Sequence, residues 1–499
     1  MKRPFLVIGT AALFASYFLF AQNIYFAAVI LLFVGFTAVV LTFKGKETLI
    51  KTVLIGVIFL LLAARIYIVD VGIQEKTEQF RNQTVNSRGI ITEIIYKSEN
   101  YSVFTLKITK ADPDAAREIK ASVAVFEYAD FSVGDEFVGR LEFTEQNEKY
   151  KARNYSQATY FSFNANDYFI SNTRPFSVYS LGEDARRLIN KAIYSTGVDN
   201  STEVLKALII GDDSDISDTF YQNVKNSGVS HMLVVSGMHL GIICGLVLRL
   251  RGMGLLRKRS TVILCVLTSL LLLVVCFFHV SIFRAAITYI IMLVGMLVNK
   301  NSDGLNSLGF ATFLLVMIYP YIFYNVAFLL SLSATFAVIY PSGKLMTLIE
   351  LSVFKKPLSP VVSSLINTLG MSLCATICTM PITVKYFGSF SLVAPLTNLI
   401  VGYAVSAALV LGVIATVLYF IPLCKGLSMI LYVIAKYGCR FFIGVVDCIG
   451  SAELGVVKLS SNGYVYCMIA AVLFVMFLAI LCSILQKRKD DGDAQRKNT

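Results

Sequence analysis

The sequence predicts a polytopic α-helical membrane protein that carries a small extracytoplasmic β-barrel of the OB type. Three observations carry this. The chain is 56% hydrophobic over 499 residues, with a mean hydropathy of +0.70, more than a soluble globular chain carries in long runs. Its apolar residues gather into stretches of membrane-spanning length. One segment, from about Gly72 to Val229, loses those stretches and alternates instead.

Taken in order, three apolar runs open the chain: Pro4–Phe20, Tyr25–Thr42 and Thr52–Val69. Lys2 and Arg3 before the first resemble the start of a signal peptide, but a second run follows almost at once and no small-x-small cleavage site is clear. The first run is therefore expected to be retained, in an N-terminal transmembrane region over residues 1–70. The basic link Lys44–Lys51 places that side in the cytoplasm, so the third run delivers the chain outside.

Residues 71–178 read as the barrel. Gly89–Tyr96, Tyr101–Ile108, Ala121–Tyr128 and Glu136–Phe143 are short strands divided by turn signals such as Gly134-Asp135. Even spacing of short strands suits a five-stranded OB barrel. Acids and bases nearly balance here, so no electrostatic funnel is visible. Aromatics are frequent. Tyr96, Tyr101, Phe126 and Tyr128 are candidates for stacking on nucleobases; filling the barrel is the competing use, and most of the aromatics are expected there. Residues 179–229 are amphipathic, with Leu188, Ala192, Ile193, Val204, Leu205, Leu208 and Ile209 at helical spacing. They are too polar to span and are expected against the membrane face or at the mouth of the bundle.

Residues 230–486 return to the membrane, with spans expected at His231–Leu248, Thr261–Phe278, Ile282–Val298, Leu308–Phe323, Val326–Tyr340, Val361–Cys378, Ala394–Phe420, Met429–Val446 and Tyr464–Leu485. Lys436 and Arg440 interrupt the eighth of these. Basic clusters at Arg249–Arg259, at Lys344 with Lys355 and Lys356, and at Lys487–Lys489 fall where an alternating count needs cytoplasm. Residues 487–499 form a cytoplasmic tail. No inverted repeat is visible. All ten cysteines lie at or after Cys244, which leaves the barrel without a disulfide and the thiols as small hydrophobes. The net charge of +12 suits cytoplasmic loops and is weak evidence for nucleic acid.

Polar chemistry concentrates between Ala207 and Gly245. If Ser230–Gly245 is one helix, Gly237, Gly241 and Gly245 share a stripe that admits a second helix closely. Ser236 and His239 share another face, and His231 lies about 12 Å along the axis from His239, too far for a common metal unless the helix breaks. Two readings stay open for His231, Ser236 and His239: a polar seam lining a path, or interhelical hydrogen bonds. Ser236 and His239 also fit a nucleophile–base pair, which would need a third, orienting group. Arg284 either meets an anion or carboxylate in the bundle or snorkels at the interface. Asp212, Asp213, Asp215 and Asp218 are a cation site or a solvated acidic turn; the spacing of an EF-hand is absent. Pro381–Asn398 reads as a re-entrant element or as an external loop between two helix ends. No metal site and no cofactor are expected.

Several pieces together resemble the ComEC competence family: Ala207–Asp212; His231, Ser236, Gly237 and His239 within Gly228–Gly241; Arg284-Ala285; Leu330–Ala334; and Pro381–Asn398. The resemblance extends over nearly the whole chain. It implies a multi-pass protein of the bacterial cytoplasmic membrane, a channel rather than an enzyme, that imports single-stranded DNA during transformation. It further implies a DNA path lined by His231, Ser236, His239, Arg284 and Asn398, membrane lipid around the spans, a DNA-receptor protein outside and a cytoplasmic helicase or motor as partners. No phosphate-binding loop is present to supply energy within the chain. Many family members continue into a metallo-β-lactamase-like domain. With three histidines, all before residue 280, this chain is expected to lack that two-metal site, which implies a separate nuclease. Ala327-Phe328-Leu329 also departs from the family's Gly-Phe-Gln. A small-molecule or lipid transporter and an intramembrane hydrolase using Ser236 and His239 are the alternatives.

Overall fold

The alternating segment folds as a closed barrel. Its strands are β1 (Thr84–Lys97), β2 (Ser102–Asp112), β3 (Lys120–Val125), β4 (Glu136–Thr144) and β5 (Phe161–Ser171), in the order β1-β2-β3-β5-β4 with β4 back against β1. β3 and β5 run parallel and the other neighbours antiparallel. Closure leaves no open edge to pair with another chain. Ile91, Phe104, Leu106, Phe137, Leu141 and Phe163 fill the interior. Four strands are those that the alternation predicts. The fifth is less legible, because Asn164, Asn166 and Asp167 break its apolar rhythm, although it gains two neighbours.

The computed structural model describes residues 3–497 apart from 21–60, 62–63, 66, 82, 99, 113, 128–129, 172–173, 301–302, 353–358, 454 and 461. The expected span Tyr25–Thr42, most of Thr52–Val69, and Tyr128 lie outside the described residues. The helices are α1 (Pro4–Phe20), α2 (Glu148–Ser156), α3 (Val178–Tyr194), α4 (Asn200–Ile210), α5 (Asp218–Asn226), α6 (Ser230–Leu233), α7 (Gly237–Gly252), α8 (Lys258–Val275), α9 (Val280–Leu297), α10 (Gly304–Ile318), α11 (Val326–Ile339), α12 (Pro341–Ser352), α13 (Pro360–Phe387), α14 (Ala394–Tyr419), α15 (Lys425–Ser451) and α16 (Gly463–Lys497). Among the described residues, seven helical stretches are long and apolar enough to cross a membrane. They are α8, α9, Val326–Glu350, α13, α14, Pro422–Ser451 and Gly463–Leu485. A polytopic helical membrane protein with a small barrel is therefore what the chain builds.

Several expected spans change; Val361–Cys378 runs on to Phe387 and Met429–Val446 widens to Pro422–Ser451. His231–Leu248 is broken before Gly237, and α7 has 16 residues. Leu308–Phe323 shortens to α10, which ends at Ile318. Val326–Tyr340 runs on to Glu350, because Pro341 sits at a first helical position, where its missing N–H costs nothing.

The chain divides into two units, Met1–Leu188 with Val266–Phe328 and Ile189–Cys265 with Leu329–Thr499. In the first, α1 and α10 meet at Gly9 and Gly309, where a Cβ on either would overlap the other's backbone. That is the close approach small residues permit between membrane helices. The barrel is held to this unit's helices by aromatics: Tyr155 and Tyr160 lie 5.2 and 5.8 Å from Tyr321. The Tyr321 hydroxyl donates to Asp70 at 2.9 Å.

In the second unit, α4 is buried on nearly every face. Its Leu205 and Ile209 side chains come within about 3 Å of where a Cβ on Gly412 of α14 would stand. α5 lies on α15, with the Asn223 backbone against Gly450 and the Asn223 amide donating to Asp447 at 2.9 Å. The amphipathic helices expected at a membrane face thus include one, α4, that is core.

Candidate functional site

The Ala207–Gly245 segment is built by its breaks. α4 ends at Gly211, in the left-handed region at φ 71°, where a Cβ would come within 2.8 Å of Val235 Cγ2. Ser217 then caps α5 by accepting from the Phe220 N–H. Gly228, at φ 78°, crosses α14 where a Cβ would meet the Cβ atoms of Ala394 and Ser391. Both glycines turn the chain where an L side chain has neither the backbone conformation nor the room.

The expected continuous helix over Ser230–Gly245 is not formed. Val234 is extended, at φ −89° and ψ 126°, and so is Ser236, at φ −134° and ψ −179°. Ser236 instead caps α7. Its hydroxyl accepts from the Met238 N–H at 3.3 Å, and its own N–H donates to His239 Nδ1 at 3.2 Å. This is a reciprocal capping box with histidine in the place usually taken by Glu or Gln. Because Nδ1 accepts a backbone proton, the ring's proton sits on Nε2. His239 is fully buried, and among the described residues Nε2 has no hydrogen-bond partner. His239 is therefore enclosed rather than facing a water-filled path. The Ser236 hydroxyl lies 3.2 Å from Nδ1. His231, on α6, is exposed. No group of three metal-ligating side chains occurs among the described residues.

The stripe expected to pack a second helix is also revised. Among the described residues nothing stands within 4 Å of a Cβ at Gly241 or Gly245. The helix starts afresh at Gly237, and the close glycine contacts form elsewhere, as between Gly9 and Gly309. Gly241→Leu is accordingly expected to leave the yield and thermal stability of the purified protein within about 0.5 kcal/mol of the parent, as for substitutions away from packed features. A collapse in monodisperse yield would restore the packed stripe.

Asn398, on the second turn of α14, donates to Ser372 Oγ at 2.7 Å, while its buried Oδ1 has no partner among the described residues. The region before it is a short link between two helix ends. α13 continues through Pro381, ends at Gly388 with φ 70°, and is followed by β6 (Ser389–Ser391) paired with β7 (Val456–Lys458). Arg284 is 3% exposed on α9, so it does not snorkel. Ser236 and His239 are brought together. Arg284 belongs to the other compact unit.

Charges missed in the sequence organise the segment. Lys206, 5% exposed on α4, pairs with Asp212 at 3.0 Å and Asp215 at 2.6 Å. The acidic turn is thus a clamp on a lysine. Burial opposes the charge on Lys206, yet hydrogen bonds and attraction from Asp215 and Asp212 leave its pKa raised. Asp199 caps α4 by accepting from the Thr202 N–H at 3.0 Å. It also takes Lys436 at 3.0 Å and Arg440 at 2.9 Å from α15. The two bases that interrupt an expected span are therefore those that dock α4. The signal was available: two bases one turn apart in an apolar run require an acid.

In the barrel, Phe104, Phe131 and Phe161 are buried. Tyr96, Tyr101 and Phe126 stand together on the surface, with ring centroids 6.1 and 5.3 Å apart.

The Competence protein family model matches residues 208–485, more than half of the chain. ComE operon protein 3 of Bacillus subtilis (strain 168) is 26% identical over 220 residues, which cover 44% of this chain and 26% of that relative. The match thus spans about a quarter of the relative's length. No solved structure matches. The break-built segment from Gly211 to the end of α7 lies inside the matched residues, and the chain belongs to the competence protein family.

Proposed function

We propose that this protein serves DNA uptake by passing a single strand inward across the bacterial cytoplasmic membrane. The observation that carries the reading is the surface row Tyr96–Tyr101–Phe126, whose residues are 54%, 38% and 58% exposed. Three neighbouring aromatic faces on a closed barrel suit sequence-tolerant stacking of unpaired bases, worth about 1–3 kcal/mol per base. Duplex DNA hides its base faces and offers them nothing. The strand is then handed to the second unit, where exposed His231 meets it. His239, buried behind Ser236, holds the α7 start in place, and Asn398 supplies a further polar group in that unit. A cytoplasmic helicase or motor supplies energy, and a receptor protein delivers DNA. The protein itself acts as a channel and not as an enzyme.

The test is uptake of labelled DNA in a deletion strain complemented with this chain. Replacing Tyr96, Tyr101 and Phe126 by Ala together is expected to lower uptake at least about tenfold at unchanged membrane abundance, since the loss of one stacked base alone is worth about that much. Uptake equal to the parent would reject the barrel row.

One observation favours the hydrolase reading, the 3.2 Å separation of Ser236 Oγ and His239 Nδ1. Against it, Nδ1 is occupied by a backbone N–H and no acid orients Nε2 among the described residues, whereas a nucleophile–base pair needs that third group. Ser236→Ala should cost about 1 kcal/mol of helix cap and leave uptake measurable. Complete loss at equal abundance would favour hydrolysis.

A further inference from the structure

α3 carries an exposed apolar stripe. Leu181 and Leu188 are 52% and 53% exposed, Val178 47%, and Phe176, just before the helix, 94%. With about 100° per residue, Val178, Leu181, Ala185 and Leu188 fall within a sector about 80° wide. The rest of this stretch is already engaged, on two sides. Ser180 and Arg187 face the barrel: Ser180 lies against Gly134, and the Arg187 guanidinium reaches Ser132 Oγ at 3.4 Å. Tyr179, Gly182 and Arg186 face the end of α8. Gly182 is packed on the Val274 carbonyl, and Arg186 donates to the Val275 carbonyl at 3.2 Å and covers the Phe277 ring at 4.9 Å. Tyr179 meets Phe278 edge-on at 6.3 Å. On the helical wheel the barrel side and the side bounded by the stripe and the α8 contacts are opposite.

α8 is one of the membrane-spanning helices, and Val275 is its last residue. A helix pinned to that end stands at the level where hydrocarbon gives way to headgroups. Its exposed apolar stripe lies on a side of α3 that meets neither the barrel nor α8. We propose that the 176–188 stripe docks into the lipid leaflet in which α8 ends, as an interfacial helix with Phe176, Leu181 and Leu188 at the acyl–headgroup boundary. An amphipathic helix of this kind buries its apolar face some 5–10 Å into that boundary. Held by the span, the barrel and the lipid, α3 sets the height and tilt of the barrel over the membrane. The proposal rests on packing alone and stands whether or not the barrel binds DNA.

The chain contains no tryptophan, so single-tryptophan variants report without background. Leu181→Trp, Leu188→Trp and Phe176→Trp, with Glu145→Trp on the barrel as a control, are reconstituted in nanodiscs of phosphatidylcholine with or without bromine on the upper acyl chain. Each is used after it elutes as the parent does from size exclusion. Phe176→Trp exchanges one exposed aromatic for another and supplies the reading if a leucine variant fails that criterion. The stripe positions are expected to emit at shorter wavelength than the control and to lose most of their emission in brominated discs, while Glu145→Trp keeps its own. Short-wavelength emission that bromine leaves untouched would mean that protein covers the stripe, and water-like emission would mean that nothing does. Either result overturns the proposal.

Discussion

Gly228→Ala is expected to remove most of the folded protein. The residue sits at φ 78°, a conformation that costs a residue with a Cβ about 1–2 kcal/mol. The new methyl would also overlap the Cβ of Ala394 and come within 3.0 Å of the Cβ of Ser391. Neither is the free end of a flexible chain, so α14 or the segment must shift, at about 1–3 kcal/mol for an overpacked contact. Together the terms reach about 2–5 kcal/mol, a large share of the roughly 5–15 kcal/mol that holds a typical protein folded. The expected reading is a lower midpoint of thermal unfolding in detergent and a lower monodisperse yield. The two terms separate in a double mutant, because Ala394→Gly opens the space and leaves φ unchanged. Gly228→Ala with Ala394→Gly should recover the packing part alone. A Gly228→Ala protein as stable as the parent would show that this crossing does not need glycine.

How much of this was legible beforehand differs by element. The spans are, because hydropathy and length act locally along the chain. The barrel is too, through alternation, except at β5, whose pairing with β3 and β4 outweighs an unremarkable pattern. The α6–α7 break is not. Leu233 to Leu240 carries no proline, and the glycine at 237 reads as a packing residue until Ser236 is seen to cap a new helix start. A signal existed in Ser236 with His239 three residues on, the spacing of a capping box. The same spacing also fits a shared helix face, and a box normally carries Glu or Gln in the fourth position. The stripe Gly237, Gly241 and Gly245 likewise assumes one unbroken helix, and Gly241 and Gly245 meet no neighbour among the described residues. Its periodicity is real, but periodicity predicts contact where a neighbour exists, and Gly9 with Gly309 shows that a single pair without a repeat can make one. Tyr96, Tyr101 and Phe126 are, with Tyr128, the stacking candidates that the sequence offers. Their exposure could not be read from residue type, since Phe104 is buried within β2 while Phe126 stands exposed one residue past the end of β3.

The other large effect is expected at Asp199. It is the meeting point of a helix cap and two bases from α15, and its loss strands Lys436, whose side chain is 8% exposed inside an apolar helix. Removing one partner of a buried pair costs about 3–5 kcal/mol. Here the figure belongs at the low end, because Asp199 is itself 36% exposed and Lys436 keeps the Thr196 and Gly197 carbonyls at 3.4 Å. Asn caps helices as well as Asp does, so Asp199→Asn keeps the cap and loses the charge, whereas Asp199→Ala loses both, a further cost of about 1 kcal/mol. The order of stability should therefore be parent, Asp199→Asn, Asp199→Ala. Asp199→Asn with Lys436→Met should stand above Asp199→Asn alone, because no buried ammonium is then left without its acid. Acid should have the same effect as the neutral variant. Burial works to raise the pKa of Asp199, but hydrogen bonds from Thr202, Arg440, Lys436 and Ser201 hold it well below the ordinary carboxylate value. A depressed folded pKa contributes stability that is complete above the unfolded value, about 3.9, and is lost as pH falls below it. The gap between parent and Asp199→Asn should then be full at pH 7 and narrow below pH 4. A gap that stays constant down to pH 3, or the absence of one at pH 7, would remove the Asp199 pairing from what docks α4 on α15.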